Sequence, residues 1–110
     1  MSQYNPDKWM VIKINSKNPH YRVFATWGGG YLNGDSWKMN SGITKATLID
    51  GVYHFEGSSG SVYECRETSY GSTGYGYGVL QGIIKRTLDE NDVVIDILPE
   101  ETNFLELMYE

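Results

Sequence analysis

Cysteine is almost missing from this chain: Cys65 stands alone among 110 residues. An internal disulfide framework is therefore excluded, and a single thiol fits a reducing compartment. Alanine is scarce as well, with only Ala25 and Ala46. A sequence so poor in the best helix former does not read as a helical bundle. No apolar run approaches the ~18 residues of a membrane-spanning helix. The opening MSQYNPDKWM lacks a basic stretch followed by an apolar one, so no secretory leader is expected. Bases are missing beyond Arg86. The length itself excludes a kinase, a TIM barrel or a two-domain Rossmann enzyme and points to a single domain spanning 1–110.

What is abundant is glycine and tyrosine, 13 and 9 residues. With many Val and Ile, they favour sheet and turns. Charge is divided along the chain. Residues 1–86 carry all nine bases and six acids, a balance of +3; residues 87–110 carry eight acids and no base, a balance of −8, which sums to the net −5. A near-neutral body with an acidic end disfavours general nucleic-acid binding, which needs a basic surface.

The alternation of apolar residues predicts strands over Trp9–Ile14 and His20–Trp27, joined by turn residues Asn15–Pro19. Tyr21, Val23, Ala25 and Trp27 share one face of the second strand. A glycine-rich loop follows, through Gly28–Gly30 to Ser36. Trp37–Met39 and Ile43–Ile49 read as extended. Asp50-Gly51 is a hairpin signal that favours positive φ. Val52–Glu56 and Ser61–Arg66 complete a three-strand meander around the turn Gly57–Gly60. Glu67–Gly78 reads as a long irregular loop. Val79–Leu88 is ambiguous, with Gly82 and the pair Ile83-Ile84 favouring strand. Asp89–Asp92 reads as a polar turn, and Val93–Leu98 as a clear strand. Asp96 shares a face with Val94 and Leu98, so it belongs near a sheet edge or beside a partner. Pro99-Glu100-Glu101 reads as the start of a short terminal helix carrying Phe104, Leu107 and Met108 on one face.

Few of these residues form a chemical signature. His20, His54 and Cys65 have no metal-ligand spacing. His54 and Cys65 fall on adjacent strands and could meet, but on an alternating strand Cys65 shares a face with Tyr63, and burial of that face would make the thiol inert. Gly71–Gly78 lacks the Lys-Ser/Thr ending of a phosphate loop, and Asp89–Asp92 lacks the ligand pattern of a calcium loop. No catalytic residue, metal or cofactor is assigned. The candidates for binding are aromatics flanking glycine-rich segments: Trp27, Tyr31, Trp37, Tyr70, Tyr75 and Tyr77. Such rings bind by stacking at low entropic cost. Trp37 reads first as a core anchor, while Tyr75 and Tyr77 stay open between strand and contact roles. Asp89, Glu90 and Asp92 add a candidate acidic contact, with a solvated face as the plainer reading.

Asp35-Ser36-Trp37, Ser41-Gly42-Ile43, Tyr53-His54-Phe55, Ser59–Cys65 and Tyr70-Gly71 together resemble short motifs of small accessory proteins from tailed bacteriophages, over about residues 21–80. The resemblance implies a protein made in the host bacterial cytoplasm and carries no activity, cofactor or site. The expectation is a mainly β domain, a small antiparallel sheet or partly closed barrel of about six to seven strands with a short C-terminal helix. Its expected function is non-enzymatic binding of a host protein, such as one of host defence or replication, with no membrane partner. The alternatives are a small-molecule protein, with the Tyr75–Tyr77 loop closing over a nucleotide or sugar, and a structural virion component.

Overall fold

The computed structural model describes residues 3–29 and 34–109. Tyr31, and with it the middle of the loop after Trp27, lies outside the described residues. The strands are β1 (Gln3–Tyr4), β2 (Lys8–Asn15), β3 (His20–Trp27), β4 (Ser36–Met39), β5 (Ile43–Ile49), β6 (Val52–Gly57), β7 (Val62–Arg66) and β8 (Val94–Ile97), with one α-helix, α1 (Gly74–Asn91). They form two four-stranded sheets, ordered β1-β7-β6-β5 and β4-β3-β2-β8. Among the described strands the short β1–β7 pair alone is parallel, and an isolated parallel bridge joins Trp9 to Tyr70.

Mainly β character is as expected, but the sheets do not close into a barrel. They stack. The chain crosses between them at Asn40, whose N–H donates to Val23 O at 3.1 Å and whose Oδ1 accepts from Val23 N–H at 2.9 Å. Trp9, Val11, Val23 and Ala25 point from β2 and β3 toward Ile43, Phe55, Tyr63 and Cys65 of the other sheet. Met10, Ile12 and Phe24 point the opposite way and, with Ile95 of β8 in the same sheet, pack against Leu80 of α1. β2 is thus buried on both faces, which explains its nearly continuous apolar run where a half-buried strand would alternate.

That second apolar face decides the fate of Val79–Leu88. An uncovered sheet face needs a layer over it, and Gly76, Leu80, Ile83, Ile84 and Thr87 recur at helical spacing. The stretch is helical, not extended, and the helix begins inside the expected loop. Thr73 caps it, its Oγ1 accepting from Gly76 N–H at 3.0 Å. Asp89–Asn91 form its last residues, not a turn, and Asp92 ends it in the left-handed region at φ 56° with its N–H on Leu88 O at 2.9 Å. β8 follows as an edge strand, and Asp96 finds its partner there: Asn15 Nδ2 donates to its carboxylate at 3.0 Å.

The expected C-terminal helix does not form. Thr102 and Asn103 bond the local backbone instead, Thr102 Oγ1 donating to Pro99 O at 2.7 Å and Asn103 Oδ1 accepting from Leu105 N–H at 3.2 Å. Side chains that serve the backbone in this way favour turns over helix. The segment packs in irregular form. Phe104 is buried among Trp9, Tyr53, Phe55 and Tyr70, at ring-centroid distances of 5.3 to 6.2 Å. Met108, expected on the buried face, is exposed. Among the described residues no helix is long and apolar enough to cross a membrane.

Candidate functional site

The candidate aromatics separate into two groups. Tyr70 belongs to the core, not to a mobile loop. A one-turn 3-10 helix at Glu67–Ser69 delivers it. Its ring meets Trp9 edge-on at 4.8 Å. Its hydroxyl donates to Leu98 O and accepts from Val11 N–H, tying β2 to the chain after β8. Burial pushes the phenol up to about 12. Trp27 is half-buried, its Nε1 donating to Asn5 O at 2.9 Å and its ring edge-on to Tyr4 at 6.5 Å. Both rings hold the fold together.

Trp37, Tyr75 and Tyr77 remain outside, at 39%, 51% and 50% exposure. Each is mounted on rigid structure. Trp37 stacks on Phe24 at 5.5 Å and 19°. In register it lies beside Thr26. Thr26 in turn meets the start of α1: its Oγ1 accepts from Thr73 N–H at 3.3 Å, and a Cβ added to Gly76 would come within 2.3 Å of its Cγ2. The first helical turn is therefore pressed onto β3 through a glycine, next to Trp37. Tyr75 and Tyr77 flank that glycine and, at about 100° per residue, leave the helix on opposite sides. Asp89, Glu90 and Asp92 are exposed at the far end of the same helix, about 18 Å away at 1.5 Å per residue. They oppose the negative end of the helix dipole, and no base stands in the last turn to compensate.

A cleft not anticipated from the sequence lies on the opposite side of the molecule. Among the described residues no helix or strand covers the outer face of the β1-β7-β6-β5 sheet. There Asn5–Asp7, Ile49, Asp50, Val52, His54, Glu64 and Arg66 line a depression of about 590 Å³. His54 pairs in register with Glu64, not with Cys65. Its Nδ1 lies 3.6 Å from Glu64 Oε2, and Arg66 donates to Asp7 O at 3.3 Å. Strand alternation already places His54, Glu64 and Arg66 on the face opposite Tyr63 and Cys65. The missing datum was the register of the β6–β7 hairpin. Cys65 is sealed in the core, and burial pushes its thiol up, so it offers no nucleophile to His54. Thr47 stands beside His54 in register, but no hydrogen bond joins them. Among the described residues no three His, Cys, Asp or Glu side chains gather at metal-binding distance.

The tyrosines of α1 and this cleft lie on opposite outer faces of the stacked sheets. Tyr75 and Tyr77 thus cannot close over a ligand held there. No family model, curated protein or solved structure matches this chain.

Proposed function

We propose that this chain is a non-enzymatic binding domain for a protein partner, with α1 and the neighbouring β4 as its contact face. The observation that carries this reading is the exposure of Trp37 on β4 and of Tyr75 and Tyr77 on the first turn of α1, the helix that covers the same sheet. Large exposed rings on fixed mounts bury area at low entropic cost, and such residues dominate binding energies at interfaces. Asp89, Glu90 and Asp92 at the C-terminal end of the same helix suit a partner with a basic rim, which they would steer at low salt. The motif resemblance to phage accessory proteins directs the search to bacterial host proteins. Replacing Tyr75 and Tyr77 together by Ala tests the reading. Folding should change by less than about 0.5 kcal/mol, since both side chains are exposed. A partner captured from bacterial lysate by the parent chain should bind the variant about 30-fold more weakly, the equivalent of ~2 kcal/mol. A captured partner that binds both equally would place its site elsewhere.

The cleft around His54, Glu64 and Arg66 favours a second reading, a small polar ligand. A nucleotide and sugar thermal-shift screen tests it: a ligand at a hundredfold excess over its dissociation constant adds about 2.7 kcal/mol of stability. His54→Ala should abolish the shift.

A further inference from the structure

We infer that β5 is a self-complementary edge, through which two copies of this chain pair antiparallel into one continuous sheet. The inference is independent of the α1 contact face and goes beyond it. β5 ends its sheet. One end of its regular stretch is set by a bulge between Ile43 and Lys45, the other by the two-residue turn Asp50-Gly51 at φ 50° and 78°. Lys45–Ile49 lies between, with Thr47 at its centre.

A two-residue turn of this kind is closed by a hydrogen-bonded pair, here Ile49 and Val52, and the ladder then alternates. Ile49, Thr47 and Lys45 bond inward to β6. Ala46 and Leu48 therefore turn their N–H and C=O groups outward, symmetrically about Thr47. A two-fold axis at Thr47 lets Ala46 of each copy exchange both backbone bonds with the partner's Leu48.

The side chains agree with that axis. Thr47 meets the partner's Thr47, a favourable cross-strand pair. Lys45 lies opposite the partner's Ile49 and one position from the partner's Asp50, so each copy places a base beside an acid and no like charges face each other. At the bulged end of β5, Thr44, Lys45 and Ala46 border a groove with Leu105, Leu107 and Met108. Leu48, Ile49, Leu105 and Met108 are exposed at 38%, 56%, 46% and 82%, and the pairing brings the partner's Leu48 toward that groove. A seven-residue edge ending in Thr-Leu-Ile, with Lys45 as its sole charged residue, is otherwise a liability for uncontrolled strand addition.

Sedimentation velocity of the full chain from micromolar to millimolar concentration tests this, with a rise to about twice the monomer mass expected. Thr47→Lys sets two lysines opposite each other and should weaken the dimer about tenfold or more, and Thr47→Glu should do the same. An equal mixture of the two variants should recover the dimer, which mere destabilisation of either fold would not do. Should either variant fail to fold, hydrogen exchange of the parent chain decides: the Ala46 and Leu48 amides should gain protection as concentration rises. A parent chain that stays monomeric, a dimer indifferent to Thr47→Lys, a mixture that does not recover, or Ala46 and Leu48 amides that exchange fast at every concentration would each overturn the inference.

Discussion

Single positions in this chain separate by what a methyl group would meet. Gly76, Gly78 and Gly82 all lie in α1, and propensity alone ranks alanine above glycine at each by about 1 kcal/mol. At Gly78 and Gly82 nothing stands within 4 Å of an added Cβ. Gly78→Ala and Gly82→Ala should each raise stability by about 0.5 to 1 kcal/mol in urea unfolding. At Gly76 the Cβ would meet Thr26 Cγ2 at 2.3 Å and Ser72 Oγ at 2.8 Å. Thr26 is fully buried and cannot give way, so Gly76→Ala should destabilise by about 1 to 3 kcal/mol despite its better propensity. Equal effects at the three positions would mean that the helix does not press on β3. The sequence shows Gly74, Gly76 and Gly78 as one alternating run, Gly-Tyr-Gly-Tyr-Gly. Which of them faces the sheet is a property of the helix, and without the helix the run reads as a loop.

Elements were legible where alternation was clean. The hairpins β2–β3, β5–β6 and β6–β7 fall where the pattern and turn residues put them. Asp50-Gly51 turns with positive φ as its residue types demand. The helix was not legible, because four glycines and paired β-branched residues speak against helix locally, and only the apolar outer face of β2 and β3 outweighs them. Its C-terminus remains poorly made. Asp92 sits at φ 56°, a conformation that favours glycine, and adds a negative charge where the dipole is already negative. Asp92→Gly should therefore stabilise the chain by about 1 kcal/mol, measured as a higher urea midpoint. If the acidic end steers a partner, the same change should slow association at low salt. An unchanged midpoint would show that the left-handed cap costs nothing here.

At the scale of the whole molecule, interior phenols and the thiol link stability to pH. Burial pushes Tyr63 and Tyr70 up to about 12 and raises Cys65 and Tyr109 as well. The folded chain holds these protons more tightly than the unfolded one, whose thiol and phenols titrate at their ordinary values of about 8.5 and 10. Their contribution is complete below those values and is lost as pH rises toward 12. The urea midpoint should be flat from these groups near neutrality, begin to fall as the thiol value is passed, and fall steeply beyond pH ~10. Tyr63→Phe should soften that decline; a decline identical in this variant would remove Tyr63 from the cause.

The sequence by itself determined the mainly β character, the hairpin turns, the inward direction of Cys65 and the need of Asp96 for a sheet edge or a partner. Each depends on residue type and period-two alternation, which act within a strand and its next neighbour. Only the tertiary structure decided that the sheets stack instead of closing, that Gly74–Asn91 is a helix, that Tyr70 and Phe104 complete the core, and that His54 meets Glu64. These depend on which distant surface a segment must cover and on strand register, and that energy resides in contacts between residues up to 95 positions apart, Trp9 and Phe104 among them.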